Sequence, residues 1–241
     1  MQPPVLDPPL RLFSFPGGWG TPSFSPFCSK AEALLRLVGQ PYTVVLPSGP
    51  PRSKTGKLPY VERPDGVRIE GSDSIVDALI ERGLDPDAGL GPAARATTLL
   101  ARRTLEEHLY FALVRDRWLD PAGFAHTRAD YFQAQPAPLR ALLPLILRRT
   151  IRRDAHGHGM GRLSPERYQK QIREDLDSLA IVLGDQPFFF GERPHQLDAI
   201  AWAFLGAALA TPVDGPLRAA VRAQPTLVAQ VARFGAAVMG G

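Results

Sequence analysis

Residues 56–76 read GKLPYVERPDGVRIEGSDSIV, and three local patterns follow one another inside them. Leu58 to Glu62 and Val67 to Glu70 are short β-runs. Pro64-Asp65-Gly66 between them has hairpin-turn chemistry, because proline presets one φ and glycine supplies a positive one. Ser72 then offers an oxygen to the backbone N–H groups of a helix. Its apolar positions Ile75, Val76, Leu79 and Ile80 recur at helical spacing, and Gly83 closes it. Strand, turn, strand and helix in so short a span describe half of a small α/β unit.

The other half lies upstream. Leu10 to Phe15 reads as a buried strand after a Pro-rich tail, and Pro16 to Ser25 as a Gly/Pro/Ser loop. A helix follows, with Pro26 at its first position, Phe27, Ala31, Leu34, Leu35 and Val38 on one face and Gly39 at its stop. Tyr42 to Val45 is the next strand and Pro47 to Gly56 a loop, so the order is β-α-β, a connection, then β-β-α.

Downstream the composition changes. Asp85 to Pro92 is rich in Asp, Pro and Gly, and no strand pattern follows it. The expected division is a domain over residues 1–84 and an all-helical one over residues 92–241. Helical patterns run from Pro92 to about Leu119, from Leu139 to about Arg153 despite Pro144, and from a Ser164 cap through Tyr168, Ile172, Leu176, Leu179 and Leu183. Ala199 to Ala210 is apolar all round, which marks a central buried helix.

At 241 residues with 44% hydrophobic content the chain has material for two cores. The net charge of +4 is spread rather than blocked, which argues against a nucleic-acid partner. The longest uncharged apolar stretch is too short to span a bilayer. The N-terminus shows no basic segment leading into an apolar one, and the single cysteine, Cys28, forms no internal disulfide. Both suit a reducing, cytoplasmic location.

Three motifs carry the chemistry. Ser25-Pro26-Phe27-Cys28 opens the first helix, where unpaired N–H groups and the positive dipole end favour a thiolate. Ser25 reads either as a plain N-cap or as a hydroxyl facing a thiol. Cys28, one turn in, reads either as a packing residue or as an exposed, activated thiol. Ser23 and Tyr60 are weaker hydroxyl candidates. The second motif is Lys57-Leu58-Pro59 and the third Asp73-Ser74, at the start of the helix that follows the hairpin.

Together these resemble the soluble glutathione transferases. The first is similar to the family's Cys-Pro-aromatic-Cys with serine in the first place, the second to its Gly-x-Leu-Pro, and the third to its Asp-Ser. The resemblance implies a thioredoxin-like β-α-β-β-β-α domain joined to a helical bundle. It also implies a cis Leu58–Pro59 bond beside the cysteinyl part of glutathione. Lys57 would lie near the glycine carboxylate, Asp73 at the γ-glutamyl ammonium, and Ser74 at its carboxylate. Glu106-Glu107-His108-Leu109-Tyr110, Arg117-Trp118, Gly159-Met160-Gly161-Arg162, Pro187-Phe188-Phe189-Phe190-Gly191 and Leu197-Asp198-Ala199 narrow the resemblance to the metaxin and failed-axon-connections branch. His195 stands where that pattern has Ser or Thr at a helix cap.

The implied function is addition of the glutathione thiol, as cosubstrate, to a small apolar electrophile, with Ser25 stabilising the thiolate and a homodimer as the assembly. The alternatives are a non-catalytic, metaxin-like interaction module and a Cys28-dependent glutathione thiol transferase. Arg148, Arg149, Arg152 and Arg153 share a helical face that reads as solvated, lipid head groups or an anionic substrate being the other reading. His156-Gly157-His158 reads as a flexible loop without metal-site spacing, and Arg103 with Glu107 as a surface pair.

Overall fold

The computed structural model describes residues 9–49 and 51–240; the expected Pro-rich tail, through residue 8, lies outside the described residues. Four strands, β1 (Leu10–Phe13), β2 (Tyr42–Val45), β3 (Tyr60–Glu62) and β4 (Arg68–Glu70), form one sheet in the order β2-β1-β3-β4. β1 runs parallel to β2, with Leu12 opposite Val44. β3 is antiparallel to both β1 and β4, with Val61 opposite Leu12 and Ile69. The β1–β2 crossover is helix α1 (Pro26–Leu37), and α2 (Ser72–Ile80) follows the hairpin.

Both faces of α1 are covered, so every residue from Cys28 to Leu35 is buried. Ala31 and Leu35 pack on the sheet with Leu10, Leu12, Val61, Ile75 and Leu79. Ala33 and Leu34 pack the other way, against Ala199 and Phe234 of the helical half.

That half begins with α3 (Pro92–Arg103), which continues through a π-helical stretch Thr104–Leu109, α4 (Tyr110–Val114) and a second π-helical stretch Arg115–Leu119. Then come α5 (Pro121–Tyr131), α6 (Ala137–His158), α7 (Pro165–Leu183), α8 (Gln196–Ala210), α9 (Pro216–Arg222) and α10 (Pro225–Phe234). The core surrounds α8, whose Leu197, Ile200 and Phe204 meet Leu105, Leu109, Ile172, Leu176 and Leu179. Among the described residues, no helix is long and apolar enough to cross a membrane.

Several expectations need correction. Ser72 is the first helical residue of α2 rather than its cap. Gly71, at φ 89° and ψ 145°, takes the cap position, a conformation that glycine adopts without steric cost. The β-runs pair only from Tyr60 and from Arg68. Proline at 59 has no N–H to give a ladder, and the Leu58–Pro59 bond is cis. Helix α5 was not expected, although Asp120 caps it by accepting from Gly123 N at 2.9 Å with Pro121 at its first position. His156 and His158 end α6 rather than occupy a loop, and the His158 ring stacks on Phe111 at 3.9 Å. The Ser164 cap forms, accepting from Arg167 N. At α8, Asp198 Oδ2 accepts from His195 N at 2.9 Å, while His195 Nδ1 turns to the Pro86 carbonyl at 3.3 Å.

Candidate functional site

Where the two halves meet, the β1–α1 loop and the start of α1 form one wall of a cavity of about 450 Å³. Phe15, Pro16, Phe24, Ser25 and Pro26 come from that wall and Lys57 from beside the cis proline. Tyr110, Phe111, Arg117 and Trp118 face them, and Leu147 and Ile151 of α6 close the side. The lining is aromatic and aliphatic with a few hydroxyl and charged groups, which suits a small ligand with an apolar part.

Ser25 is the N-cap residue of α1, yet its side chain makes no capping bond. Its backbone N–H goes to Ser23 Oγ at 3.2 Å, and its carbonyl accepts from Cys28 N and Ser29 N, both at 3.1 Å. The Ser25 hydroxyl therefore stands at the positive end of the helix without a capping duty. Ser23 is buried and holds the loop. Tyr60 is buried with its ring stacked on Phe13 at 4.3 Å. Neither weaker hydroxyl candidate lines the cavity.

Cys28 is fully buried with Phe13, Leu58 and Tyr60. Burial pushes its thiol up from the ordinary range, against smaller opposing effects of nearby hydrogen bonds. An uncharged, enclosed thiol is a packing residue, so the activated-thiol reading of Cys28 has no support in the geometry.

Arg117 fixes the loop from the helical side. Its guanidinium donates to the Phe24 carbonyl at 2.9 Å and Tyr131 Oη at 2.8 Å, and to Thr211 Oγ1 at 3.0 Å and the Ala207 carbonyl at 2.6 Å. It also lies 5.0 Å from the Trp19 ring centre. Burial pulls its pKa down, and its partners are neutral oxygens, one of them at the C-terminal, negative end of α8. In the sequence, Arg117 stands out only as part of the metaxin-like pattern. Tyr110, likewise only part of that pattern, packs edge-on against Phe27 and Phe204. Burial raises its pKa, so its hydroxyl stays protonated at neutral pH.

Asp73 and Ser74 occupy the first turn of α2, with Ser74 exposed. Asp73 already has protein partners. Its Oδ1 accepts from Lys30 Nζ at 2.7 Å and lies 3.3 Å from Arg102 Nη1. Lys30 is 0% exposed and also donates to Glu106 Oε1 across the domain boundary. Partial burial pushes the Asp73 carboxyl up, but the Lys30 and Arg102 cations outweigh it and hold Asp73 below the usual carboxylate range. Burial wins at Glu106, whose pKa is raised. Lys57 is exposed on the cavity rim. Ser25 and Lys57 thus share the cavity, while Leu58 is buried with Phe13, Cys28 and Tyr60 and, like Pro59, is not among the lining residues. Asp73 and Ser74 are not among its lining residues.

Comparisons with known proteins bear on this arrangement. Residues 26–123 match the glutathione S-transferase N-terminal domain and residues 172–234 the glutathione S-transferase C-terminal domain. The chain is 30% identical over 231 residues to isoprene-epoxide–glutathione S-transferase of Rhodococcus sp. (strain AD45), covering 93% of this chain and 97% of that protein. It is 32% identical over 230 residues to Metaxin-1 of Mus musculus, covering 92% of this chain and 72% of the relative. Among solved structures, a glutathione S-transferase of Ceriporiopsis subvermispora in complex with glutathione shares the fold with a TM-score of 0.62 at 18% identity. That match covers 97% of this chain and 99% of the other.

Proposed function

We propose, from the premise that this chain belongs to the glutathione S-transferase family, that the interdomain cavity binds glutathione and adds its thiol to a small apolar electrophile. The carrying observation is the Ser25 side chain, which lines the cavity at the start of α1 and makes no capping bond. In this reading the hydroxyl donates to the glutathione sulfur and the helix terminus adds its positive potential. The thiol proton leaves to solvent and the thiolate attacks an electrophilic carbon; with an epoxide the carbon–sulfur bond forms as the ring carbon–oxygen bond breaks, and the alkoxide takes a proton from solvent. Lowering a thiol pKa from about 8.5 by two units requires about 2.7 kcal/mol of selective stabilisation. A hydroxyl donor and a helix end together are of that size.

The apolar lining supports an apolar electrophile, and the name of the Rhodococcus relative supports an epoxide as the first compound to try. Tyr110, kept protonated by burial, is a further hydroxyl residue on the wall, as is Tyr131, whose hydroxyl accepts from Arg117. The test is conjugation of glutathione to a small epoxide by the full chain and by Ser25→Ala and Tyr110→Phe. Loss of turnover in Ser25→Ala with folding intact supports the reading. Undiminished turnover in Ser25→Ala contradicts the role of Ser25.

One observation favours the second reading, a non-catalytic module of the metaxin kind. Asp73, expected to meet the γ-glutamyl ammonium, is already engaged by Lys30 and Arg102. A glutathione amine must then share that carboxylate. Absence of glutathione binding by calorimetry would favour the module.

A further inference from the structure

Helix α6 has an inner side fixed by the fold and an outer side that nothing among the described residues covers. On the inner side Pro144 and Ala155 are buried, and Leu147 and Ile151 line the cavity. Arg148 is not part of the solvated face expected from sequence. It donates to the Trp118 and Leu119 carbonyls at 2.8 and 3.0 Å and sits 4.0 Å from the Phe124 ring centre.

The outer stripe runs Leu139, Leu142, Ile146, Arg149 and Arg153 in steps of three and four, with Leu145 and Arg152 beside it. Leu139, Leu142, Leu145 and Ile146 are 51%, 60%, 50% and 63% exposed, which is far more than a helix packed on a core requires. Arg149, Arg152 and Arg153 are exposed in the turns that follow. No acidic residue occurs between Asp130 and Asp154. Asp130 faces inward, accepting from Trp19 Nε1 at 2.6 Å and Gln133 Nε2 at 3.2 Å. Asp154 lines the cavity and meets only its neighbour Arg153 at 3.6 Å on this face. Arg128 of α5 and Arg140 add cations along the groove between the two helices.

We propose that the outer face of α6 docks this protein on an anionic lipid bilayer. The exposed leucines and isoleucine enter the head-group boundary and the arginines meet lipid phosphates. Such a pairing of apolar insertion with cationic contacts is what peripheral helices need. Charge complementarity selects this occupant. A second copy seated symmetrically would set Arg149, Arg152 and Arg153 against their own images with no carboxylate between them. A fully apolar partner would leave them without counter-charge.

The test is co-sedimentation of the full chain with vesicles of phosphatidylcholine alone and of phosphatidylcholine mixed equally with phosphatidylglycerol. Binding is expected to the mixed vesicles only and to weaken with salt. Each arginine removed should weaken it about fivefold, so R149Q/R152Q/R153Q should lose about a hundredfold. L142Q/I146Q should lose at least about tenfold, since the apolar contribution is removed. Both variants should keep the parent melting temperature, because the changed side chains are exposed. No vesicle binding, equal binding to both vesicle types, or unchanged binding of either variant would overturn the proposal. Undiminished binding of L142Q/I146Q, with equal capture by soluble polyglutamate, would point instead to an acidic protein partner. A dimer seen by light scattering and dissolved by L142Q/I146Q would assign the face to a second copy.

Discussion

Helix α1 serves two places on the domain boundary that differ in character. At Lys30 the boundary is closed by charge. An ammonium of zero exposure lies between Asp73 of its own half and Glu106 of the other. One turn earlier, at Ser25, the boundary is open around a cavity of about 450 Å³ and is held by neutral oxygens gathered on Arg117. The difference teaches how one helix can both fasten two domains and leave room for a ligand. Opposite charges close the part from which water is excluded. Hydroxyls and carbonyls shape the part that stays open as a cavity.

The largest expected effect comes from breaking the closed part. Lys30→Met leaves Glu106 buried without its cation and should cost about 3–5 kcal/mol in urea unfolding. In that variant Glu106, raised by burial, holds a proton in the folded state that the unfolded chain releases near the ordinary pKa. Its stability should therefore fall as pH rises from about 4 toward neutrality. Asp73 in the parent has the opposite sign. Its depressed carboxyl contributes stability that is present above the ordinary carboxylate range and is lost on acidification.

Arg117→Met tests the open part. It leaves the Phe24 carbonyl without this donor, while the Ala207 carbonyl keeps the Thr211 hydroxyl at 2.9 Å, and should cost about 1–3 kcal/mol. It should also loosen the loop that carries Ser25, so any glutathione affinity should fall with stability. Cys28→Ala, which vacates a small volume behind that loop, should cost only about 1 kcal/mol by thermal unfolding and leave conjugation intact. Ser25→Ala should alter stability least, by less than about 0.5 kcal/mol, because its side chain makes no cap bond. Conjugation should nevertheless drop roughly 10- to 100-fold if its hydroxyl supplies one to two units of thiol acidification. A Ser25→Ala protein as unstable as Arg117→Met would erase the contrast.

Much of the fold was legible because local rules and global packing agree. Pro64-Asp65-Gly66 turns the hairpin, Ser164 caps α7, and the uniformly apolar Ala199–Ala210 stretch lies in the centre. Asp120-Pro121 is a start signal for α5, but the stretch after it offers no clear apolar stripe. The hydroxyl at Ser25 was legible from its place at a helix start. The family pattern points Asp73 at the γ-glutamyl ammonium, and no local rule announces its pairing with Lys30. A lysine among Cys28, Ala31 and Leu35 finds its partners only when residues 43 and 76 positions away fold against it. Arg117 escaped in the same way, as its acceptors come from three distant segments.

The Ser25 cavity is the proposed glutathione site. Titration of the full chain with glutathione by isothermal calorimetry, repeated with Ser25→Ala, tests it most directly. Saturable one-to-one binding is predicted, with a proton release that rises as pH passes through the lowered thiol pKa and that Ser25→Ala shifts to higher pH. No heat of binding at millimolar glutathione, or a proton release unchanged by Ser25→Ala, would contradict it.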